Sequence, residues 1–268
     1  MAQAGTAGRI DTRPPLPVRT IDAHDISASL ADAWRDFSTN RLDMVFAGLL
    51  YPAIGLAAAY AASGGALLPL LFPAIAGLSL LGPLVATGFY EIARRRDEGR
   101  DAHWTHFADV LRGPARDSIV VVGAMLLGLF VAWMIAGAVI YDIFMGSQLP
   151  ASIGDLVHRT LTTPEGWAMM AVGNLVGLGF ALLVLAVATV SLPMLVDGRG
   201  DARQAVATSL AAFRANPGLM LRWGATVAAL LVLGALPAFV GLAVVLPVLG
   251  YATWHLYTRL VDRGAAAR

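Results

Sequence analysis

The chain has 268 residues, of which 57% are hydrophobic and 14% charged, with a formal net charge of +1. A soluble domain carries about 25% charged residues, so this composition requires surroundings that tolerate apolar surface. There is no cysteine, which removes disulfides, thiolate catalysis and thiolate metal sites.

Residues 1–22 hold Arg9, Arg13 and Arg19 among Pro14, Pro15 and Pro17, with no apolar stretch ahead of a cleavage site. They read as a disordered cytoplasmic tail and not as a secretory signal. Residues 23–260 read as a single transmembrane domain and 261–268 as a second cytoplasmic tail. The apolar runs are continuous, neither striped nor alternating; Asp43 to Ala62 and Ser118 to Ile140 each reach the roughly 20 residues that cross a hydrocarbon core. Splitting the runs at Gly, Pro and charge clusters predicts spans near 43–62, 66–92, 118–144, 166–192, 218–235 and 237–258. The last two form one run, too long for a single crossing, that divides at Gly234-Ala235-Leu236-Pro237. The expected fold is therefore all-α: a polytopic membrane helix bundle of six transmembrane helices plus cytoplasmic amphipathic helices.

All nineteen basic residues are arginine. With six spans, eighteen of them fall before the first span, after the last span and in the 93–117 and 193–222 loops, leaving only Arg159 on the opposite side. Arginine near span ends stays in the cytoplasm, so both termini are expected there. Each cytoplasmic segment ahead of an odd-numbered span also has an apolar stripe at helical spacing. The stripes are Ile26, Leu30, Trp34 and Phe37; then Trp104, Phe107, Val110 and Leu111; then Val206, Leu210 and Phe213. Such helices lie on a bilayer or dock a partner, which makes Trp34, Trp104 and Phe213 a candidate functional surface. Pro73-Ala74-Ile75-Ala76-Gly77-Leu78 against Pro237-Ala238-Phe239-Val240-Gly241-Leu242 adds to the impression of an internal repeat.

Ionisable groups inside a membrane mark function, and the middles of these spans hold almost none. Asn174 is the one strongly polar residue at depth, where an amide seeks an interhelical hydrogen bond. Pro73, Pro83, Pro237 and Pro247 interrupt the second and sixth spans; they read as kinks or tight packing and, with Asn174, as the candidate intramembrane site. Glu91, Arg94, Arg95 and Arg96 form the densest charge run, at the end of the second span, suited to anchoring at anionic lipid headgroups or to clamping one. His103 and His106 share a helical face but lack further ligands, so no metal is expected. Of the five histidines, His24, His103, His106, His158 and His255, only His255 touches a span, which argues against haem and copper ligation in the membrane. Outside, Ile153, Leu156, Val157 and Leu161 predict a short surface helix, and Thr163-Pro164-Glu165 a capped start for the fourth span.

Together, Leu70-Leu71-Phe72-Pro73, Leu81-Gly82-Pro83, Gly88-Phe89-Tyr90-Glu91-Ile92 ahead of Arg94-Arg95-Arg96, Pro193, and the stretch from Pro247 to Tyr257 resemble the bacterial predicted integral membrane proteins of domain of unknown function family 2189. The resemblance implies a membrane fold and supplies no mechanism. The expectation is a non-enzymatic scaffold or accessory protein of the bacterial inner membrane, in contact with the lipid bilayer and its anionic headgroups and with a membrane protein partner. No cofactor, catalytic residue or nucleic-acid partner is expected, and the alternative is a small-molecule or lipid transporter.

Overall fold

The structure, a computed structural model, describes residues 14–39, 65–146, 149–237 and 239–264 and isolated positions from 45 to 60. The first expected span, 43–62, lies outside the described residues apart from those positions. The elements in order are α1 (Ala23–Thr39), α2 (Leu71–Leu78), α3 (Gly82–Asp97), α4 (Arg116–Met145), α5 (Ile153–Thr162), α6 (Pro164–Val196), α7 (Ala202–Ala215), α8 (Pro217–Ala235) and α9 (Leu242–Leu260). Turns of 3-10 helix occupy Gly65–Leu70, Ser79–Leu81 and Trp104–Leu111. No strand occurs among the described residues; Val18 and Val261 form an isolated bridge.

Helix starts follow from local side chains. Asp22 accepts from the backbone N–H groups of His24 and Asp25 at 2.7 and 3.1 Å, and Asp25 accepts from that of Asp22, a reciprocal cap on α1. The Thr163 hydroxyl receives the N–H of Gly166 at 3.0 Å ahead of Pro164, the capped start expected for α6. Pro83 has no N–H for the Ser79 carbonyl, so Gly82 bonds it instead; the chain tightens into a 3-10 turn and α3 begins afresh.

Among the described residues, four helices are long and apolar enough to cross a membrane: Leu67–Asp97, Arg116–Met145, Pro164–Val196 and Pro217–Ala235. Each coincides with an expected span. The sixth expected span, 237–258, corresponds to α9, which is not of that kind, because its second half carries Thr253, Trp254, His255, Tyr257, Thr258 and Arg259. The spans of 31 and 33 residues measure about 45–50 Å at 1.5 Å per residue, against about 30 Å of hydrocarbon. Burial shows where the excess goes. Residues are buried without interruption from Thr87 to Ala93 in α3, from Ala188 to Val196 in α6 and from Leu249 to Trp254 in α9, whereas only 17% to 33% of the four apolar windows is buried. The helices therefore run out of an exposed apolar belt into a packed cap at one end.

The three amphipathic segments complete that cap. α1 packs on α9, Trp104–Leu111 on α3 and α7 on α6. Thus each segment covers the end of the spanning helix before it in the repeat, with the first closing onto the last. The ends of α3 and α6 also terminate alike. The N–H of Gly99 bonds Arg96 and that of Arg100 bonds Arg95, as Gly198 bonds Leu195 and Arg199 bonds Met194. Both glycines have positive φ, which completes a Schellman motif at each end. Expected to lie on the bilayer or dock a partner, the stripes pack in large part on the chain itself: Ile26, Phe37 and Val110 are buried in the cap, Leu30, Phe107, Val206 and Phe213 pack against it, and the middle segment is 3-10.

Residues 14–22, expected within a disordered tail, are held in place. Gln204 donates to the Pro14 carbonyl at 2.7 Å, Leu16 donates to Thr208 at 3.0 Å and Ile21 to Asn216 at 3.0 Å. Arg19 donates to Leu260 at 2.8 Å and Asp262 to Pro17 at 3.0 Å. Polar groups of α7 and the chain end thereby satisfy an extended backbone that has no helix of its own.

Candidate functional site

The cap gathers the charged ends of α1, α3, α6 and α9. Glu91, 4% exposed, accepts from Arg94 Nε at 2.9 Å and from Arg95 Nε at 2.8 Å. Arg94 continues to Glu98 at 3.0 Å and Arg95 to Asp109 at 2.8 Å. Arg96 pairs with Asp36 at 3.1 Å, donates to its carbonyl oxygen and lies over the Tyr251 ring at 5.6 Å. His255 Nε2 stands 2.7 Å from the same Asp36 carboxylate, and Arg259 donates to Asp32 one turn earlier. Burial alone would raise the Asp36 carboxyl, but hydrogen bonds and charge from His255 and Arg96 outweigh it and hold the group below its usual 3.8. The hydrogen bond from Arg259 does the same for Asp32. Across the cap, Asp197 accepts from Tyr257 at 2.8 Å and from Arg263 at 2.9 Å, while Asp97 accepts from the Trp254 indole at 2.8 Å. These acids and bases neutralise one another between elements, an arrangement that fixes helices in register.

Below the cap, α3, α6, α8 and α9 part around a cavity of about 380 Å³, within the ~300–1,000 Å³ of ordinary ligand pockets. No charged residue lines it. Its hydroxyls at Ser79, Thr189 and Thr253 donate to their own helix carbonyls of Ala76, Leu185 and Leu249. Leucine, valine, alanine and proline supply most of the rest, with Tyr90 and Trp223 among the few groups that carry a polar atom.

Residues 71–197 match the family model described as predicted integral membrane protein (DUF2189). The resemblance read from the sequence is thus borne out over that range, and the protein is an integral membrane protein in contact with the lipid bilayer. No curated protein and no solved structure matches the chain. The DUF2189 segment runs from the start of α2 to the end of α6, including Glu91, Arg94, Arg95 and Arg96 and two walls of the cavity.

The sequence candidates disperse. Trp34 and Trp104 are exposed on the cap, 54% and 41%, whereas Phe213 packs half-buried against its core. Arg94, Arg95 and Arg96 are 17% to 23% exposed and cross-brace the cap, leaving little of the guanidinium surface that a headgroup clamp or a bilayer anchor needs. Asn174 faces outward and donates to the Met170 carbonyl at 2.8 Å, so its own helix, not a neighbour, satisfies the amide. Of the five intramembrane candidates only Pro83 lines the cavity. Pro247 is buried, Pro237 stands in the exposed turn after α8, and Pro73 packs on Gly137 while its carbonyl accepts from Trp133 at 2.7 Å. Trp133 itself escaped the sequence reading. Its signal is a set of small residues, since a Cβ at Gly77 or Gly177 would stand 2.7 or 3.1 Å from the indole. His103 and His106 meet Asp101 and Asp109, and no metal-sized group of ligands forms among the described residues.

Proposed function

We propose that this DUF2189 protein is a non-enzymatic scaffold or accessory subunit of the bacterial inner membrane, with six spans and with the cap and both termini in the cytoplasm. The observation that carries the reading is the mutual saturation of the cap charges. Glu91 and Asp197 each hold two arginines, and Asp36 holds Arg96 and His255, which suits a rigid frame better than a reacting centre. The arginine distribution supports the orientation, because among the described residues the arginines gather toward the cap except Arg159, whose guanidinium donates to the Met145 carbonyl at the far end of α4. On the cap, Trp34 and Trp104 are exposed and offer aromatic surface to a membrane protein partner.

Photo-crosslinkers at positions 34 and 104 in host membranes test the partner: one stoichiometric protein adduct supports the reading, and lipid adducts alone overturn it. Orientation is tested by single cysteines placed at 160 and 268 in this cysteine-free chain; labelling of 268 from outside intact cells would reverse it. A lipid transporter is the second reading. The apolar lining between α3 and α9 favours a hydrocarbon cargo over a polar one.

A further inference from the structure

The cavity under the cap opens sideways. Among its lining residues, Leu178 and Ala181 of α6 and Leu221, Ala225 and Ala228 of α8 also face outward, so a window lies between those two helices. Both belong to the helices suited to crossing a membrane, and the outer face of such helices is the bilayer interior. What enters through the window is therefore already dissolved in the membrane. On α8 the wall is made of the short side chains Ala225 and Ala228, whereas Gly224 and Gly250 let α8 and α9 approach their neighbours: a Cβ on either would stand 2.8 Å from Leu185 or 2.6 Å from Phe89. The hydroxyls of Ser79, Thr189 and Thr253 are turned back onto their own helices and that of Tyr90 meets Thr253, so the walls offer few free groups to recognise a polar molecule along its length.

The cap-side end differs. Trp223, 1% exposed, and Tyr90, 2% exposed, line the cavity there, and Arg222 stands exposed between the window residue Leu221 and Trp223 at the start of α8. Arg222 has no ion pair among the described residues, unlike the saturated arginines of the cap. Interfacial arginine attracts anionic headgroups at about 1 kcal/mol each.

We propose that the cavity between α3, α6, α8 and α9 holds one hydrocarbon chain of an anionic phospholipid, entering between α6 and α8 with its phosphate at Arg222. Apolar walls, a lateral window and a free arginine at headgroup level belong together only for an amphiphile of that shape. A free polar metabolite would meet no partner in the walls, and an uncharged isoprenoid would make no use of Arg222.

The test is native mass spectrometry of the full-length protein after detergent delipidation, then re-addition of phosphatidylglycerol or phosphatidylcholine. Wild type keeps one phospholipid and prefers the anionic one by about fivefold, the factor equivalent to one arginine at the interface. Ala228→Trp, which fills the window, loses that lipid, whereas Ala229→Trp on the adjacent exposed position keeps it; Arg222→Gln keeps a lipid and loses the preference. Gel filtration and circular dichroism establish that each variant is folded. A second measurement is independent of these variants. Phospholipid brominated along its acyl chain quenches the fluorescence difference between wild type and Trp223→Phe, because a residue 1% exposed is reached only from inside the cavity. Folded wild type that retains no lipid, equal retention in Ala228→Trp, a retained molecule lacking phosphate, or an unquenched difference each overturns the proposal.

Discussion

Replacing Glu91 with glutamine removes one charge and almost no volume from the centre of the cap. Breaking a fully buried ion pair costs about 3–5 kcal/mol, because the remaining charge is stranded. Here two features reduce that figure. Arg94 and Arg95 are 22% and 17% exposed, and each keeps a second carboxylate, Glu98 at 3.0 Å and Asp109 at 2.8 Å. Against that, glutamine turns an N–H₂ group toward two guanidinium groups, where the carboxylate oxygens had accepted four close hydrogen bonds. We expect a loss of about 2 kcal/mol, between the buried-pair cost and the ~0.3–0.5 kcal/mol of an exposed i,i+4 pair. Glu98→Gln, which breaks only the more exposed pairs with Arg94 and Arg100, sets the lower reference. Reversible unfolding of the purified protein in mixed micelles measures both. If Glu91→Gln is no more destabilising than Glu98→Gln, the cap is not braced through Glu91 and the rigid-frame argument fails.

Gly88→Ala gains about 1 kcal/mol of helix propensity, but its new Cβ stands 2.4 Å from the Phe107 ring, which Phe89 holds edge-on at 5.0 Å; overpacking at about 1–3 kcal/mol outweighs the gain, and faster proteolysis of the 98–112 loop reports it. Asp32 and Asp36 have depressed pKa values, so the stability they contribute is complete above the unfolded value of 3.8 and is lost as pH falls below it through the folded values. Melting profiles from pH 6 downward should therefore decline below about pH 4, less steeply in Asp36→Asn, and an identical slope in that variant would contradict the pairing. Asn174→Leu should change stability by less than about 0.5 kcal/mol, since the amide meets only its own helix; a large loss in the same unfolding assay would reveal an interhelical role.

The membrane-crossing helices were legible because hydropathy registers them directly: α4 and α6 are long apolar runs, and Thr163 with Pro164 marks where one begins. The cap was not, because Thr87 to Ala93 and Ala188 to Val196 are also largely apolar, and composition does not distinguish a residue facing protein from one facing lipid. The amphipathic stripes identified the apolar face of each segment, yet periodicity is silent on what that face meets. Asp36 and His255, paired at 2.7 Å across 219 positions, leave no local pattern at all. The cavity eluded the reading for a similar reason: prolines were the visible interruptions, while the space lies where the short side chains Ala225 and Ala228 stand beside three other helices.

The extended segment at residues 14–22 bears on how the molecule is made. Its hydrogen-bond partners lie at Gln204, Thr208, Asn216, Leu260 and Asp262, so this early stretch waits for residues 190 or more positions later before it has anything to bind. Insertion of the spans can proceed one after another, but closing the cap is an act of completion. A chain ended before residue 260 would keep most of its membrane helices and yet leave α1 and its leading strap without a seat, exposing Ile21, Ile26 and Phe37 to water. The strap thus works as a seal on finished copies, and unfinished ones present the apolar surface by which cellular proteases recognise incomplete synthesis.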